Sequence, residues 1–171
     1  MAWLEYVREI PDFPRPGVLF RDVLPVLADR EVWREVVTLM ADAAAPWQPD
    51  VIAAPEARGF VLAGALADRL QTGVVLARKA GKLPPPVVSA EYTLEYGDNR
   101  LEIEAWDRLA NRRVVLVDDV LATGGTVRAA TRLIAELGGI VVGYVFLIEL
   151  AALGGRARLG PGAEIRSLAT R

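Results

Sequence analysis

The sequence predicts an α/β fold with a central, mostly parallel sheet flanked by helices. Three observations carry that prediction. Short apolar runs at 51–54, 74–77, 114–117 and 140–150 are bounded by glycine, proline or polar turn residues and read as buried strands. Stretches of helical period lie between them, so the order is helix, strand, loop, helix, strand, which is the grammar of right-handed βαβ crossovers. The third observation is the segment Val114–Thr126, VVLVDDVLATGGT, in which an apolar strand runs into two acids, then a Gly/Thr loop, then a helical pattern.

Taken in order, residues 2–9 predict a short helix with Trp3, Leu4 and Val7 on its apolar side. Residues 11–22, PDFPRPGVLFRD, carry three prolines and Gly17 and predict an ordered irregular segment. Pro25 precedes another helical stretch, and Asp29 is placed to cap a helix over 30–45 whose apolar positions are Val32, Trp33, Val36, Val37, Met40 and Ala44. Pro46 and Pro49 end it. After the strand at 51–54 and the segment PEARGF comes a helix over 60–70, with Leu62, Leu66 and Leu70 on one side. Gly73 resets the chain for the strand at 74–77. Residues 78–90 read as a loop. Two alternating runs, 92–96 and 101–105, flank Gly97-Asp98-Asn99, a fair β-hairpin signal with the turn at 97–99. Val127, Ala130, Ile134 and Leu137 mark the helix after 114–117, and Gly138-Gly139 ends it. A strand at 140–150, a short helix at 151–158 and an edge strand at 165–168 complete the chain.

Composition narrows the chemistry. The 171 residues suit a single domain with a sizeable core. Hydrophobic residues at 53%, charged residues at 25% and a net charge of −2 describe an ordinary globular balance. No dense basic run or basic helix face appears, so no nucleic-acid partner is expected. Every apolar run is interrupted before the roughly 18 residues a membrane span needs, so no membrane is expected either. The amino end lacks a basic n-region followed by an apolar h-region, which predicts no signal peptide and a cytoplasmic protein. Without cysteine or histidine, thiolate chemistry and the commonest base near pH 7 are absent. Acid and base work then falls to Asp, Glu, Tyr, Lys or Arg, and any metal is an oxygen-liganded Mg²⁺ rather than zinc. Of the 20 basic residues only Lys79 and Lys82 are lysines, and both sit in ARKAGKLPPP. Either the chain has a general arginine bias, or an anion site in this segment favours compact ammonium charges.

The loop Ala122-Thr123-Gly124-Gly125-Thr126 is the phosphate candidate. Successive N–H groups in such a loop form an anion nest, and the helix that follows adds free donors and its positive dipole end. A plain glycine-containing cap is the simpler alternative. No lysine precedes Thr126, so the Walker-type GxxxxGK[ST] pattern is absent, as is GxGxxG. Asp118 and Asp119 lie just before the loop at the carboxyl end of a strand, where open α/β sheets bind ligands. Two adjacent acids repel unless something bridges them. Vicinal ribose hydroxyls or Mg²⁺ would do so, and phosphate beside a diol outlines a ribose 5-phosphate.

Residues 114–126 resemble the phosphoribosyl-diphosphate motif of the type I phosphoribosyltransferases. PDFPRPGVLFRD, PEARGF, RKAGKLP and YTLEYG, together with that motif, resemble the narrower family of adenine phosphoribosyltransferases and span nearly the whole chain in order. The resemblance implies a type I phosphoribosyltransferase-like fold, with a short hood at residues 1–30 and a flexible flap hairpin at 86–105. It implies transfer of the phosphoribosyl group from 5-phospho-α-D-ribose 1-diphosphate to N9 of adenine, giving AMP and diphosphate in purine salvage. Phe20 would stack on the purine, an alternative to its reading as an apolar plug. Leu19 would read the adenine amino edge through its backbone, with Arg21 beside it. Glu56, Ala57, Arg58 and Gly59 would form the diphosphate loop, and the region Pro55–Glu56–Ala57 resembles the place where the family holds an unusual cis peptide. Arg78, Lys79 and Lys82 would serve the diphosphate and the neighbouring subunit of a homodimer. Glu95 would be the general acid/base, unless it simply faces water, and Tyr96 would pack the flap or touch the leaving group. Asp118 and Asp119 would hold the ribose hydroxyls. Ala122 to Thr126 would hold the 5-phosphate, and Mg²⁺ would be carried mainly by substrate oxygens. The rival readings are transfer to guanine, hypoxanthine or xanthine, and a non-catalytic purine-sensing protein on the same scaffold.

Overall fold

Strand positions follow the apolar runs, and the computed structural model describes residues 2–94, 97–105 and 109–171. The chain divides into two compact units, Met1–Leu39 and Met40–Arg171.

In the amino-terminal unit the expected helix over 2–9 is only a 3-10 turn, Ala2–Tyr6. The chain then extends into β1 (Arg8–Ile10), which pairs antiparallel with β2 (Phe20–Asp22). Cross-strand pairing competes successfully with the helical pattern here, and Arg8 makes an ion pair with Asp22 directly opposite it. The irregular segment therefore ends at Phe20 rather than running to Asp22. Its turn is fixed by Asp12, whose carboxylate accepts the Gly17 N–H at 2.7 Å, with Gly17 at φ 84°. Asp22 also accepts the Leu24 N–H at 2.9 Å and so opens α1 (Leu24–Ala28), which carries Pro25 in its first turn. Asp29 accepts the N–H groups of Glu31 and Val32 at 2.9 and 3.0 Å and caps α2 (Arg30–Ala44), as its position predicted.

The second unit is built on a seven-stranded sheet. Its strands are β3 (Val51–Pro55), β4 (Gly73–Lys79), β5 (Val87–Leu94), β6 (Gly97–Glu104), β7 (Arg113–Leu121), β8 (Ile140–Glu149) and β9 (Ile165–Thr170). The spatial order is β5-β6-β4-β3-β7-β8-β9. Strands β4, β3, β7, β8 and β9 run parallel, and the β5–β6 hairpin is added antiparallel at the β4 edge. From β3 the chain passes through α3 (Arg58–Leu70) to β4 on one side. From β7 it passes through α4 (Gly125–Glu136) to β8 on the other. The direction of winding reverses between β3 and β7, and their carboxyl ends frame the crevice where ligands bind in such sheets.

Leu116, Leu121 and Phe146 of the sheet, Leu101 and Ile103 of the hairpin, and Val127, Ala130, Leu133 and Ile134 of α4 form one continuous buried core. Buried Leu62 and Leu66 are carried by α3, which packs on β3 and β7. Among the described residues no helix is long and apolar enough to cross a membrane.

Several boundaries differ from the sequence expectation, among them the start of β5 at Val87, inside the segment 78–90 that reads as a loop. Strand β4 continues through Arg78 and Lys79, because Arg78 pairs with Glu102 and Lys79 with Leu101 of β6. Gly97-Asp98-Asn99 is the start of β6 and not the turn: Leu94 lies opposite Gly97, Thr93 opposite Asp98 and Tyr92 opposite Asn99. Eight consecutive cross-strand pairs outweigh the local turn preference of those residues. Strand β7 continues through both acids, with Asp118 opposite Phe146 and Leu121 opposite Glu149.

Candidate active site at the carboxyl ends of β3 and β7

Two βα junctions meet at the crevice. After β7 the loop Ala122–Gly124 leads into α4, whose N-cap is Gly124 at φ 78°. Gly125 and Thr126, expected in the loop, form the first helical turn. Their N–H groups are thus among those that a helix start leaves without intrahelical partners. A small open cleft is lined by Asp118, Val120, Leu121 and every residue from Ala122 to Val127.

After β3 the chain turns through Glu56 and Ala57, joined by a cis peptide, and enters α3 at Arg58. The cis bond falls inside the segment where the family resemblance placed one. Glu56 anchors the turn to β4: its carboxylate accepts the Lys79 N–H at 3.2 Å and faces the Arg78 guanidinium at 3.4 Å. Arg78 also donates to the Lys82 carbonyl at 3.2 Å, and the Gly81 N–H donates to the buried Glu102 carboxylate at 2.8 Å. These bonds shape the segment 78–82 and leave the Lys79 and Lys82 side chains exposed.

The acid pair lies between the two junctions. Asp119 is buried and its carboxylate bonds the Arg58 guanidinium. Asp118 accepts the Asp119 N–H at 2.9 Å. Burial pushes the Asp118 carboxyl well above the usual carboxylate range, the Asp119 charge pushes it further, and Arg58 pulls the other way. Gly59 brings the α3 backbone close to this carboxylate. A Cβ there would stand 3.1 Å from Asp118 Oδ1 and 3.2 Å from the Ala54 Cβ.

Sequence reasoning did not assign a role to Tyr92. On β5, its hydroxyl lies within electrostatic reach of the Thr126 side chain, Glu56 and Asp118. Burial raises its pKa above the ordinary phenol value. The alternation in YTLEYG was its only signal.

The structure thus brings Glu56, Ala57, Arg58, Gly59, Asp118, Asp119 and the segment 122–126 together, with Arg78 and the Lys79 backbone bonded to Glu56, and Lys82 tied to Arg78 through its carbonyl. Leu19, Phe20 and Arg21 belong to the amino-terminal unit. There Leu19 is exposed, and Phe20 packs edge-on against Phe13 with ring centroids 5.1 Å apart. Arg21 forms an ion pair with Glu9 at 3.2 Å. Glu95 and Tyr96 lie outside the described residues. Among the described residues no group of three or more His, Cys, Asp or Glu side chains could hold a metal ion.

Comparison with known proteins agrees with this arrangement. Residues 28–158 match the family described as phosphoribosyl transferase domain. The adenine phosphoribosyltransferase of Mycolicibacterium vanbaalenii is 54% identical over 165 residues, covering 96% of this chain and 93% of the relative. The crystal structure of adenine phosphoribosyltransferase from Thermoanaerobacter pseudethanolicus superposes with a TM-score of 0.94 at 46% identity, over 99% of this chain and 98% of the other. The Saccharomyces cerevisiae enzyme, solved with an imino-altritol bisphosphate and adenine, gives 0.90 at 34% identity over 98% and 96% of the two chains. With a family match across most of its length and relatives that cover nearly all of it, the chain belongs to the phosphoribosyl transferase family and, within it, to the adenine phosphoribosyltransferases.

Proposed function

We propose that this chain transfers the 5-phosphoribosyl group of 5-phospho-α-D-ribose 1-diphosphate to N9 of adenine, releasing AMP and diphosphate. The observation that carries the reading is the flanking of one acid pair, Asp119 buried and Asp118 lining the cleft, by two helix N-termini on adjacent parallel strands. A substrate with a phosphate at one end, a diol in the middle and a diphosphate at the other matches that order of charges.

In this reading Ala122 to Thr126 hold the 5-phosphate, and Asp118 and Asp119 accept hydrogen bonds from the ribose hydroxyls. Their negative charge also favours the oxocarbenium-like state that forms as the C1–O bond breaks. Glu56 to Gly59 hold the departing diphosphate. Arg58, Arg78, Lys79 and Lys82 offset its charge, and N9 enters from the opposite face with inversion. Arg58 leaves Asp119 to meet the diphosphate, which frees Asp119 for the sugar. Leu19, Phe20 and Arg21 contact the purine. Glu95 handles the purine ring proton, and Tyr96 closes over the leaving group. Flap closure excludes the water that would otherwise hydrolyse the donor.

The donor set fits Mg²⁺ in one particular way. Asp118 and Asp119 offer hard carboxylate oxygens, but two carboxylates alone make no protein cage, and among the described residues no third such group joins them. Substrate hydroxyls and diphosphate would supply the remaining ligands, and the ion, when bound, would offset the negative charge of the leaving group.

The proposal includes a homodimer and a cytoplasmic location. Val74 and Leu76 expose apolar side chains on β4 beside Leu83, and Val61 does so on α3. A second copy covering these side chains would bring a neighbour beside the 78–82 segment. Phosphorylated substrates, which do not cross membranes unaided, support the location.

The test is product analysis with adenine, the donor and Mg²⁺: AMP and diphosphate appear in equal amounts. Diphosphate released without AMP, or no diphosphate at all, overturns the reading.

A further inference from the structure

We propose that Glu149, Gly155 and Arg156 form a clamp that fixes the 5-phosphate loop from behind, with Gly155 and Arg156 acting as positioning residues for the sugar phosphate. The proposal rests on the reading of Ala122–Thr126 as that loop.

Helix α5 (Gly155–Arg158) is a single helical turn. A helix this short has no stability of its own and must be held by its surroundings. Arg156 holds it. Its guanidinium donates to both carboxylate oxygens of Glu149, the last residue of β8, at 2.9 and 2.6 Å. The Ser167 hydroxyl of β9 donates to the same carboxylate at 2.8 Å. Glu149 is buried, so the forked guanidinium bond is its principal compensation. Hydrogen bonding from Arg156 keeps the Glu149 carboxyl below the usual carboxylate range, so the pair stays ionised into mild acid.

Anchoring α5 in this way presses its first residue onto the loop. A Cβ on Gly155 would fall 2.2 Å from the Ala122 carbonyl oxygen, a distance no side chain tolerates. In return, a Cβ on Gly124 would fall 2.8 Å from the Gly155 carbonyl oxygen. The two backbones thus meet with no side chain between them. One residue upstream of the loop, the Leu150 N–H donates to the Leu121 carbonyl at 2.9 Å and ties down its start. Close backbone contact, with the buried Leu121 side chain beside it, therefore fixes the loop between Leu121 and Gly124, and the geometry of that contact depends on a salt bridge at Arg156, which lines no part of the cleft.

The experiment titrates ribose 5-phosphate and, separately, inorganic diphosphate into the full-length protein. The forms compared are wild type, Gly155→Ala, Arg156→Ala and Arg156→Lys, with the exposed Arg158→Ala as control. Ribose 5-phosphate binding is expected to weaken about tenfold or more in Gly155→Ala and Arg156→Ala, corresponding to 1.4 kcal/mol or more. Arg156→Lys is intermediate, because an ammonium keeps the charge but loses the fork. Diphosphate binding changes less than about twofold in the same proteins, a difference well below that 1.4 kcal/mol step. In turnover, the KM for the donor rises more than kcat falls. Should Gly155→Ala fail to fold, Arg156→Lys carries the test alone. Equal weakening of both ligands means general damage and overturns the clamp, as does unchanged ribose 5-phosphate binding. A wild-type protein that binds no ribose 5-phosphate overturns the reading of the loop itself.

Discussion

The loops after β3 and β7 sit side by side and are held in opposite ways. The β7 loop is fixed by close packing: Gly124 at φ 78° meets Gly155 backbone to backbone, and the Arg156–Glu149 pair stands behind that contact rather than in it. The β3 loop is fixed electrostatically: Glu56 draws in Arg78 and the Lys79 N–H, while Arg58 reaches across to Asp119. A sterically fixed loop suits a group that stays bound throughout the reaction, such as the 5-phosphate. A loop fixed by exchangeable ion pairs suits a diphosphate that must leave, because the cations can trade a protein carboxylate for the anion.

If both loops only bind and position, proton work must lie outside them. Glu95→Gln should then lower kcat about 10²–10⁴-fold, the usual worth of positioned proton transfer, while donor binding is preserved. A kcat within about threefold of the parent returns that role to one of the loops. Gly124→Ala attacks the steric loop where a Cβ is both strained and blocked. It should cost roughly 10²-fold in kcat/KM, the scale of a 1 Å misplacement, and added salt should not restore it.

Asp118→Asn separates function from stability. Loss of one charge-assisted hydrogen bond to the ribose should weaken donor binding about tenfold. Stability of the ligand-free protein should move the other way. The Asp118 carboxyl is raised in the folded state, so its contribution is present below the unfolded carboxylate pKa and is lost as pH rises toward the folded value. At pH 7 the variant should therefore melt higher than the parent, by about 2–4 °C per kcal/mol relieved, and at pH 3 the gap should close. A lower Tm at pH 7 contradicts the burial argument. The smallest effect belongs to the partly exposed Arg78–Glu56 pair. Arg78→Gln should cost no more than about 1 kcal/mol of stability, and the difference should vanish in high salt.

The two loops were not equally legible in the sequence. Apolar strand, paired acids and ATGGT announced the β7 junction, because each part follows a local rule. Its boundaries were less visible. Asp is a poor strand former, yet Asp118 and Asp119 remain in β7 because β8 pairs alongside them. The Gly155 contact brings together residues more than thirty positions apart, and no local pattern reports it. At the β3 loop, Arg78 and Lys79 read as loop residues because the hairpin strand that extends β4 lies some twenty residues further on. The Gly97-Asp98-Asn99 signal misplaced the hairpin turn for the same reason: pairing along the whole ladder decides the register. The helix over 30–44 and its Asp29 cap were readable because both depend on neighbours within a few residues.

If this crevice joins a phosphoribosyl donor to adenine in preference to other purines, the choice of acceptor base exposes it. The most direct test is kcat/KM for diphosphate release with adenine, guanine and hypoxanthine under one set of donor and Mg²⁺ concentrations. Adenine should lead by about 10²-fold or more, as expected when buried polar groups meet the wrong exocyclic substituent. Equal or greater efficiency with guanine or hypoxanthine would contradict it.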